Sequence, residues 1–220
     1  MPGDASPLSM RPLRERFAER LARCVAGLTM FGIGIAFFVR GDIGVPPWDV
    51  FHQGVSENSG YAIGTVIVFT GFAVLLLWVP FRLRPGIGTV LNAVQIGIVE
   101  NIAEPLIPES PNPGVGVLYV ALGMLAIAAG SGLYIGAELG SGPRDGLMIG
   151  VNARFGISVR AARTTVEVVV LVVGVALGGG IGVGTFVFAF GIGPLVQIML
   201  ARFRMSPSLV AAAESEAAEQ

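Results

Sequence analysis

Charge, cysteine, histidine and lysine are all scarce in this sequence. Only 13% of the residues are charged, against about 25% in a typical soluble domain. The single cysteine, Cys24, excludes an intramolecular disulfide and a cysteine-based metal cluster. The single histidine, His52, leaves no histidine metal cluster and no Ser/His catalytic set. Lysine is absent, so no glycine-rich segment continues into the Gly-Lys-Ser/Thr of a phosphate loop. We therefore predict no metal site, no cofactor and no enzymatic activity.

Long uncharged segments take the place of charge. Hydrophobic residues make up 53% of the chain and the mean hydropathy is +0.76. Residues 58–81, 110–137 and 168–201 contain no charged side chain. A helix needs roughly 20 apolar residues to cross the hydrocarbon core of a bilayer. These segments therefore predict a polytopic helical membrane protein whose surroundings are the lipid bilayer.

The fourteen cations are all arginines, and their positions predict the orientation of the chain. Thirteen of them fall in four segments, residues 11–23, 82–84, 144–163 and 202–204. If these segments face the cytoplasm, the sequence follows the positive-inside rule. We therefore expect a multi-pass protein of a bacterial-type plasma (inner) membrane with both termini in the cytoplasm. A nucleic-acid-binding patch is the competing interpretation, and we reject it because the arginines adjoin spans.

A motif near the first third of the chain recurs 96 residues later. In both copies a glycine precedes a proline by three residues, an aspartate by five and a second glycine by ten. The same offset relates further glycines and a Gly-Thr pair without any insertion. Such agreement indicates a duplicated unit. The first copy is Gly44, Pro47, Asp49 and Gly54, and the second is Gly140, Pro143, Asp145 and Gly150.

The duplication predicts an all-α membrane protein of six transmembrane helices. The spans are expected at about 21–40, 61–80, 87–106, 115–137, 158–178 and 184–201. Repeat 1 is then residues 20–110 and repeat 2 is 111–204, between cytosolic tails at 1–19 and 205–220, of which the second is expected to be disordered. Three spans per repeat make the second copy enter the membrane from the opposite side, so the repeats are inverted, as in many secondary transporters. Each repeat also contains a short broken helix, either re-entrant or interfacial.

The two repeated motifs are the best candidate site. Gly44, Pro47 and Trp48 mark the first break, and Gly140 and Pro143 mark the second. Non-helical backbone at membrane depth is tolerated only where protein or a water-filled cavity surrounds it.

Asp49 and Asp145 follow these breaks and have two interpretations. They either bond free N–H groups and complement the dipole at a helix start, or they face a solute or ion.

The third span carries most of the polar residues at membrane depth. Thr89, Asn92 and Glu100 share one helical face, with Gln95 close to it. Such side chains mark either a solute pathway or hydrogen bonds between helices. Both interpretations stay open for Asn92 and Gln95. For Glu100 an exposed position at the membrane interface is a further alternative.

Charged and aromatic residues elsewhere also have alternatives. Glu167 lies one helical turn after Arg163, which predicts either a structural ion pair or an ion-coupling carboxylate. Trp48, Trp78 and Tyr61 lie near span ends, where an aromatic belt is the simpler interpretation.

The repeated motif and its surroundings resemble a known family. Residues 44–54 read G-V-P-P-W-D-V-F-H-Q-G, residues 60–65 read G-x3-G-T, and residues 86–92 read G-I-G-T-V-L-N. Over about 20–205 the chain is similar to the YczE/YyaS/YitT family of bacterial integral membrane proteins, and most similar to the YczE-like branch. The resemblance implies a multi-span inner-membrane protein without an established activity, and it brings no catalytic residues. It also implies that the large cytosolic domain of YitT-type members is missing.

Two functions follow as hypotheses. The first is a small secondary transporter or exporter of an unidentified small solute, with Asp49, Thr89, Asn92, Gln95 and Asp145 lining the pathway. The alternative is a non-transporting membrane scaffold or accessory protein that acts through its packing surfaces. A homodimer is compatible with either, because six short spans make a thin bundle.

Overall fold

The computed structural model describes residues 16–203 and residue 205 of the chain. These residues form eight α-helices and one short 3-10 turn, and no strand occurs among them. The helices are α1 (Phe17–Gly41), α2 (Pro47–Ser59), α3 (Ile63–Leu76), α4 (Ile87–Ala103), α5 (Pro113–Gly136), α6 (Pro143–Phe155), α7 (Val159–Ala176) and α8 (Val183–Phe203). The 3-10 turn is Glu104–Leu106. The chain is therefore all-α over its described length.

The four helices of the first half begin 96 residues before the four helices of the second half. The breaks in the repeated motif explain this agreement locally. Gly44 and Gly140 have φ angles of 106° and 129°, which a residue with a Cβ rarely adopts. Pro47 and Pro143 are the first residues of α2 and α6, where a missing N–H costs nothing. The motif therefore stops one helix and starts another at equivalent places.

Each break is tied to the other half of the chain by a backbone hydrogen bond. The Gly88 N–H at the start of α4 donates to the Leu139 carbonyl oxygen at 2.9 Å. The Gly184 N–H at the start of α8 donates to the Ile43 carbonyl oxygen at 2.8 Å. The donors are 96 residues apart, and so are the acceptors. The two halves therefore hold each other through equivalent contacts.

The centre of the core is the crossing of α1 and α5. A Cβ on Gly27 would lie 2.5 Å from the Gly130 carbonyl oxygen, and one on Gly34 would lie 2.8 Å from the Gly123 carbonyl oxygen. The partner number falls as the α1 number rises, so the two helices run antiparallel. Glycine at these four positions allows the backbones to touch, as in close membrane helix pairs. Fully buried apolar side chains surround the crossing, among them Leu28, Ile35, Phe38 and Ile127.

Three helices are long and apolar enough to cross a membrane, namely α1, α5 and α8. The number becomes four if α2 and α3, which are bent by 113° at their junction, together form one span. Helix α3 has 14 residues and α4 has 17, and α7 carries Arg160, Arg163 and Glu167. The expected second span to residue 80 is shorter, because α3 ends at Leu76. The six-span arrangement therefore remains a prediction.

The predicted tails fall mostly outside the described residues. Helix α1 already begins at Phe17, so its first turn overlaps the predicted cytosolic segment 1–19. Of the predicted segment 205–220 the structure describes Met205, which is buried.

The two halves differ in how their third and fourth helices pack. In the first half a Cβ on Gly97 of α4 would overlap the Gly64 carbonyl oxygen of α3, so these helices touch backbone to backbone. The equivalent residue in α8 is Gly193, and nothing lies within 4 Å of its Cβ position. Arg160 of α7 stands where α3 has Gly64. The seam between α3 and α4 is therefore closed, whereas α7 and α8 stand apart at the equivalent place.

This difference gives a matched pair of variants. Gly97→Ala should lower the free energy of unfolding by about 1–3 kcal/mol, because the new methyl group meets backbone that cannot move away alone. Gly193→Ala adds the same atoms to open space, and alanine is the better helix former, so it should be neutral or slightly stabilising. Denaturant unfolding of the purified protein in detergent would compare the two. Equal effects would contradict the closed and open seams.

Candidate functional site

The two breaks meet at the centre of the molecule. The Cζ atom of Arg144, at the start of α6, lies 4.1 Å from the centroid of the Trp48 ring, at the start of α2. Trp48 and Arg144 are equivalent residues of the two motifs, 96 positions apart. A guanidinium over an indole face is an attractive pairing that becomes stronger when water is excluded. The equivalent positions of the two halves therefore form one contact.

His52 joins the first break to the same guanidinium. Its ring is fully buried, with Nδ1 2.8 Å from Asp49 Oδ1 and Nε2 3.3 Å from Arg144 Nη2. An arginine nitrogen can only donate, so His52 Nε2 accepts and His52 Nδ1 carries the proton that it donates to Asp49. The neutral imidazole thus links an anion to a cation. His52 is not among the site residues predicted from the sequence, although its i+3 spacing from Asp49 places both on one helical face.

Asp145 is bonded on the other side of the centre. The hydroxyl group of Tyr134, on α5, donates to Asp145 Oδ2 at 3.3 Å. Gly142 makes this arrangement possible, because a Cβ there would lie 3.2 Å from Asp145 Oδ2, 3.2 Å from the Tyr134 hydroxyl oxygen and 3.4 Å from Asn92 Nδ2. Three polar groups from α4, α5 and α6 therefore converge on one glycine.

Both aspartates lie in the first turn of a short helix, as the sequence indicates. The hydrogen bonds of both carboxylates go to side chains and not to backbone N–H groups of that helix. Asp49 is turned to His52 and Asp145 to Tyr134. The simple capping interpretation is therefore wrong for both, although each carboxylate still complements the helix dipole.

A cavity of about 290 Å³ lies beside these groups, and a space of about 140 Å³ shares part of its wall. Four charged residues line the larger space, Arg144, Asp145, Arg163 and Glu167. Arg144 and Asp145 are half-buried and face this space. Its apolar wall includes Phe31, Ile35, Trp48, Ile67, Ile127 and Phe188.

Asn92, Arg163 and Glu167 are predicted site residues that the cavity brings together. Asn92 lines the cavity wall. Arg163 Nε lies 2.9 Å from Glu167 Oε1, so the predicted ion pair is present in α7. Both side chains also line the cavity, and Arg163 is exposed at its edge together with Gln197.

Thr89 and Gln95 lie outside the cavity wall. The Thr89 hydroxyl oxygen accepts the Gly86 N–H at 3.2 Å and so caps the start of α4. Gln95 Nε2 donates to the Val25 carbonyl oxygen at 2.8 Å and to Thr29 Oγ1 at 2.9 Å, which ties α4 to α1. Their positions thus favour structural roles over the predicted pathway.

Glu100 is fully buried, so the expectation of an exposed interfacial carboxylate is wrong. Neither of its carboxylate oxygens has a hydrogen-bond partner within the described part of the chain. The helix places it against Gly64 at the closed seam, where α3 shields it from the surroundings.

The two tryptophans also contradict an interpretation from the sequence. Trp48 is 8% exposed and Trp78 is 2% exposed, whereas Tyr61 is 58% exposed. Trp78 Nε1 donates to the Pro143 carbonyl oxygen at 2.9 Å and so braces the second break. Only Tyr61 therefore retains the exposure of a belt residue. A period of 3.6 residues does not reveal which span-end aromatic side chains turn inward.

The fold and site define a class, an all-α integral membrane protein with charged groups around an internal cavity. The chain belongs to the family of unknown function DUF6198, whose model matches residues 18–201, and it is a YczE-like membrane protein. It is 36% identical to an uncharacterized protein of Haemophilus influenzae over 173 residues, 79% of each chain. It is 30% identical to the uncharacterized membrane protein YczE of Bacillus subtilis over 160 residues, 72% of this chain and 74% of that one. No solved structure matches the chain.

Replacement of Trp78 tests the brace on the second break. Trp78→Phe keeps an aromatic ring but removes the hydrogen bond from the indole N–H to the Pro143 carbonyl oxygen, which should lower the free energy of unfolding by about 0.5–1.5 kcal/mol. Tyr61→Phe is the control, because its side chain is largely exposed. Thermal unfolding in detergent measures both. Equal midpoints for the two variants would show that the Trp78 bond contributes nothing.

Proposed function

We propose that the chain is a small secondary transporter or exporter of a small solute. The observation that carries the proposal is the meeting of both breaks at a cavity lined by charged side chains. Trp48 comes from the first half, and Arg144 and Asp145 from the second, while Asp49 lines the smaller adjoining space. Discontinuous helices that converge from two repeats are the usual construction of a transporter binding site.

Burial of these charges supports a functional role for them. A charged side chain within a membrane protein is costly, and those that persist usually line a substrate or ion pathway. Stability alone favours well-packed apolar residues over a buried charge cluster. The proposal assigns the charges to solute binding and assigns no catalysis to the chain.

Inverted repeats of three spans each are part of the proposal, in a bacterial inner membrane with both termini cytoplasmic. The antiparallel crossing of α1 and α5 supports it, because these are the equivalent first helices of the two halves. The contact of Gly27 with Gly130 becomes that of Gly123 with Gly34 when the halves are exchanged. Contacts that map onto each other in this way are expected of two halves related by a twofold axis perpendicular to the helices.

The unequal seams support a transport cycle. The α3–α4 seam is closed at Gly64 and Gly97, while α7 and α8 are separated at Gly193. Transporters with inverted repeats expose one site alternately to each side by moving one unit against another. In a single state of such a cycle we expect one of the two equivalent seams to be closed and the other to be open.

A membrane scaffold is the second candidate, and one surface favours it. A groove of about 410 Å³ between α5 and α8 has only apolar side chains and glycine in its wall. The lining includes Val117, Val120, Met124 and Val187. Such a groove suits a lipid chain or a helix of a partner, including a second copy of this chain.

Cysteine labelling in sealed vesicles tests the orientation. Ser59 and Phe155 are equivalent, exposed residues at the ends of α2 and α6. In a Cys24→Ala background, a single Ser59→Cys should react with a membrane-impermeant thiol reagent from outside the cell. A single Phe155→Cys should react only from the cytoplasmic side. Reaction of both from the same side would exclude the inverted arrangement.

Access to the cavity separates a transporter from a scaffold. Ser131 lines the cavity and is 5% exposed, so Ser131→Cys is a small change at a protected place. In the same background, a transporter should allow slow labelling of this cysteine in both right-side-out and inside-out vesicles. Right-side-out and inside-out vesicles of Phe155→Cys provide the leakage control, because that site should label in only one of them. Labelling of Ser131→Cys from one side alone, or from neither, would reject transport.

A further inference from the structure

Two neighbouring charged residues at the centre, Arg144 and Asp145, form no ion pair within 4.0 Å with a described side chain. No carboxylate oxygen of the described residues lies within 4.0 Å of the Arg144 guanidinium, which contacts the Trp48 ring and His52 instead. Asp145 is bonded only by the hydroxyl group of Tyr134. A buried charge is stable only when it is paired and hydrogen-bonded. Arg144 therefore presents donors, and Asp145 presents acceptors, towards the same cavity.

The other charged groups near the cavity already have hydrogen-bond partners of their own. Arg163 and Glu167 form their own ion pair at 2.9 Å, so together they add no net charge. Asp49 bonds to the neutral His52. The groups still available to a ligand are thus one cation and one anion, on consecutive residues of a single helical turn.

We propose that the cavity binds a small zwitterion of the amino-acid type, with its carboxylate on Arg144 and its ammonium on Asp145. This inference rests on the function proposed above and specifies its solute. A guanidinium binds a carboxylate with two parallel hydrogen bonds, which gives Arg144 a geometric preference for that group. The ammonium group donates to the Asp145 carboxylate, which also accepts the hydrogen bond from the Tyr134 hydroxyl group.

The shape and wall of the cavity select the rest of the ligand. A volume of about 290 Å³ is at the lower end of small-molecule sites, which suits a metabolite of few atoms. Much of the wall is apolar, formed by residues such as Phe31, Ile67 and Ile127. The ligand therefore carries an apolar side chain next to its two charges.

A plain anion or a plain cation fits less well. An anion on Arg144 would leave Asp145 unpaired, and a cation on Asp145 would leave Arg144 unpaired. In both cases the ligand would cover one charge without giving it a partner, which is costly. A zwitterion neutralises both residues at once and leaves the total charge of the site unchanged.

Ligand-dependent thermal unfolding of the detergent-purified chain tests the proposal. The probes are leucine, isoleucine, valine, methionine and phenylalanine as zwitterions, with leucinamide as the cation and 4-methylpentanoate as the anion matched to leucine. A ligand that binds the folded state alone raises the unfolding midpoint with concentration. We expect at least one zwitterion to bind. Leucinamide and 4-methylpentanoate should bind about tenfold or more weakly than leucine, because each lacks one charged hydrogen bond.

Two substitutions assign the charges to residues. Arg144→Gln should weaken leucine and 4-methylpentanoate about tenfold or more, and should leave leucinamide unchanged. Asp145→Asn should weaken leucine and leucinamide to the same extent, and should leave 4-methylpentanoate unchanged or tighter. Arg154→Gln is the matched control, because Arg154 is an exposed arginine of the same helix. If Arg144→Gln fails to fold, the three leucine-derived probes on the unmodified chain still decide the charge preference.

The possible outcomes of the binding and labelling experiments lead to different conclusions. Absence of a midpoint shift with all five zwitterions overturns the proposal. Equal binding of 4-methylpentanoate and leucine also overturns it, in favour of a plain anion site. Binding of a zwitterion without two-sided labelling of Ser131→Cys keeps the ligand class and rejects transport. Two-sided labelling without zwitterion binding keeps transport and rejects the ligand class.

Discussion

The contact of Arg144 with Trp48 is the interaction on which the centre of the molecule depends. A guanidinium removed from water needs a partner, and here the partners are an indole face and a neutral imidazole. Because these residues belong to different halves, the contact also fixes how the halves meet. A repeat with arginine at both positions would place two cations together at its centre. A tryptophan in one copy and an arginine in the other make an attractive pair instead.

Much of the fold follows from the sequence because it rests on local rules. Glycine and proline at 96-residue spacing stop and start helices whatever surrounds them, so the breaks at Gly44 and Gly140 could be predicted. Whether a side chain is buried or exposed depends on which helix packs beside it, and local sequence rules do not predict that neighbour. Trp78 and Glu100 were therefore misplaced near a surface, although both are buried. The second predicted span ends four residues too late for the same reason, since hydropathy does not show that α3 ends at Leu76.

The positions of several predicted site residues follow from the sequence, whereas their role in solute binding stays a prediction. Asp49, Asp145 and Asn92 are where the motifs and polarity indicate, because each lies at a break or on an apolar helix. Arg144 was read as one more cytoplasmic cation, since the positive-inside rule concerns the chain order and not the depth of a side chain. Tyr134 gave no signal, because a tyrosine near a helix end is ordinary until its partner is known. In the sequence, the equivalence of Arg144 to Trp48 in the repeated motif is the feature that could have indicated that Arg144 belongs to the site.

The antiparallel crossing of α1 and α5 has a consequence for the origin of the chain. A protein of half this length could make the same glycine contacts with a second copy only if the copies ran in opposite directions. In a bilayer this demands one gene product inserted both ways, in equal amounts. In the proposed inverted arrangement, fusion of the two copies would supply both directions in a fixed one-to-one ratio. It also allows each copy to have its own arginine positions. A molecule inserted both ways has a single set of arginines, which cannot follow the positive-inside rule in both orientations.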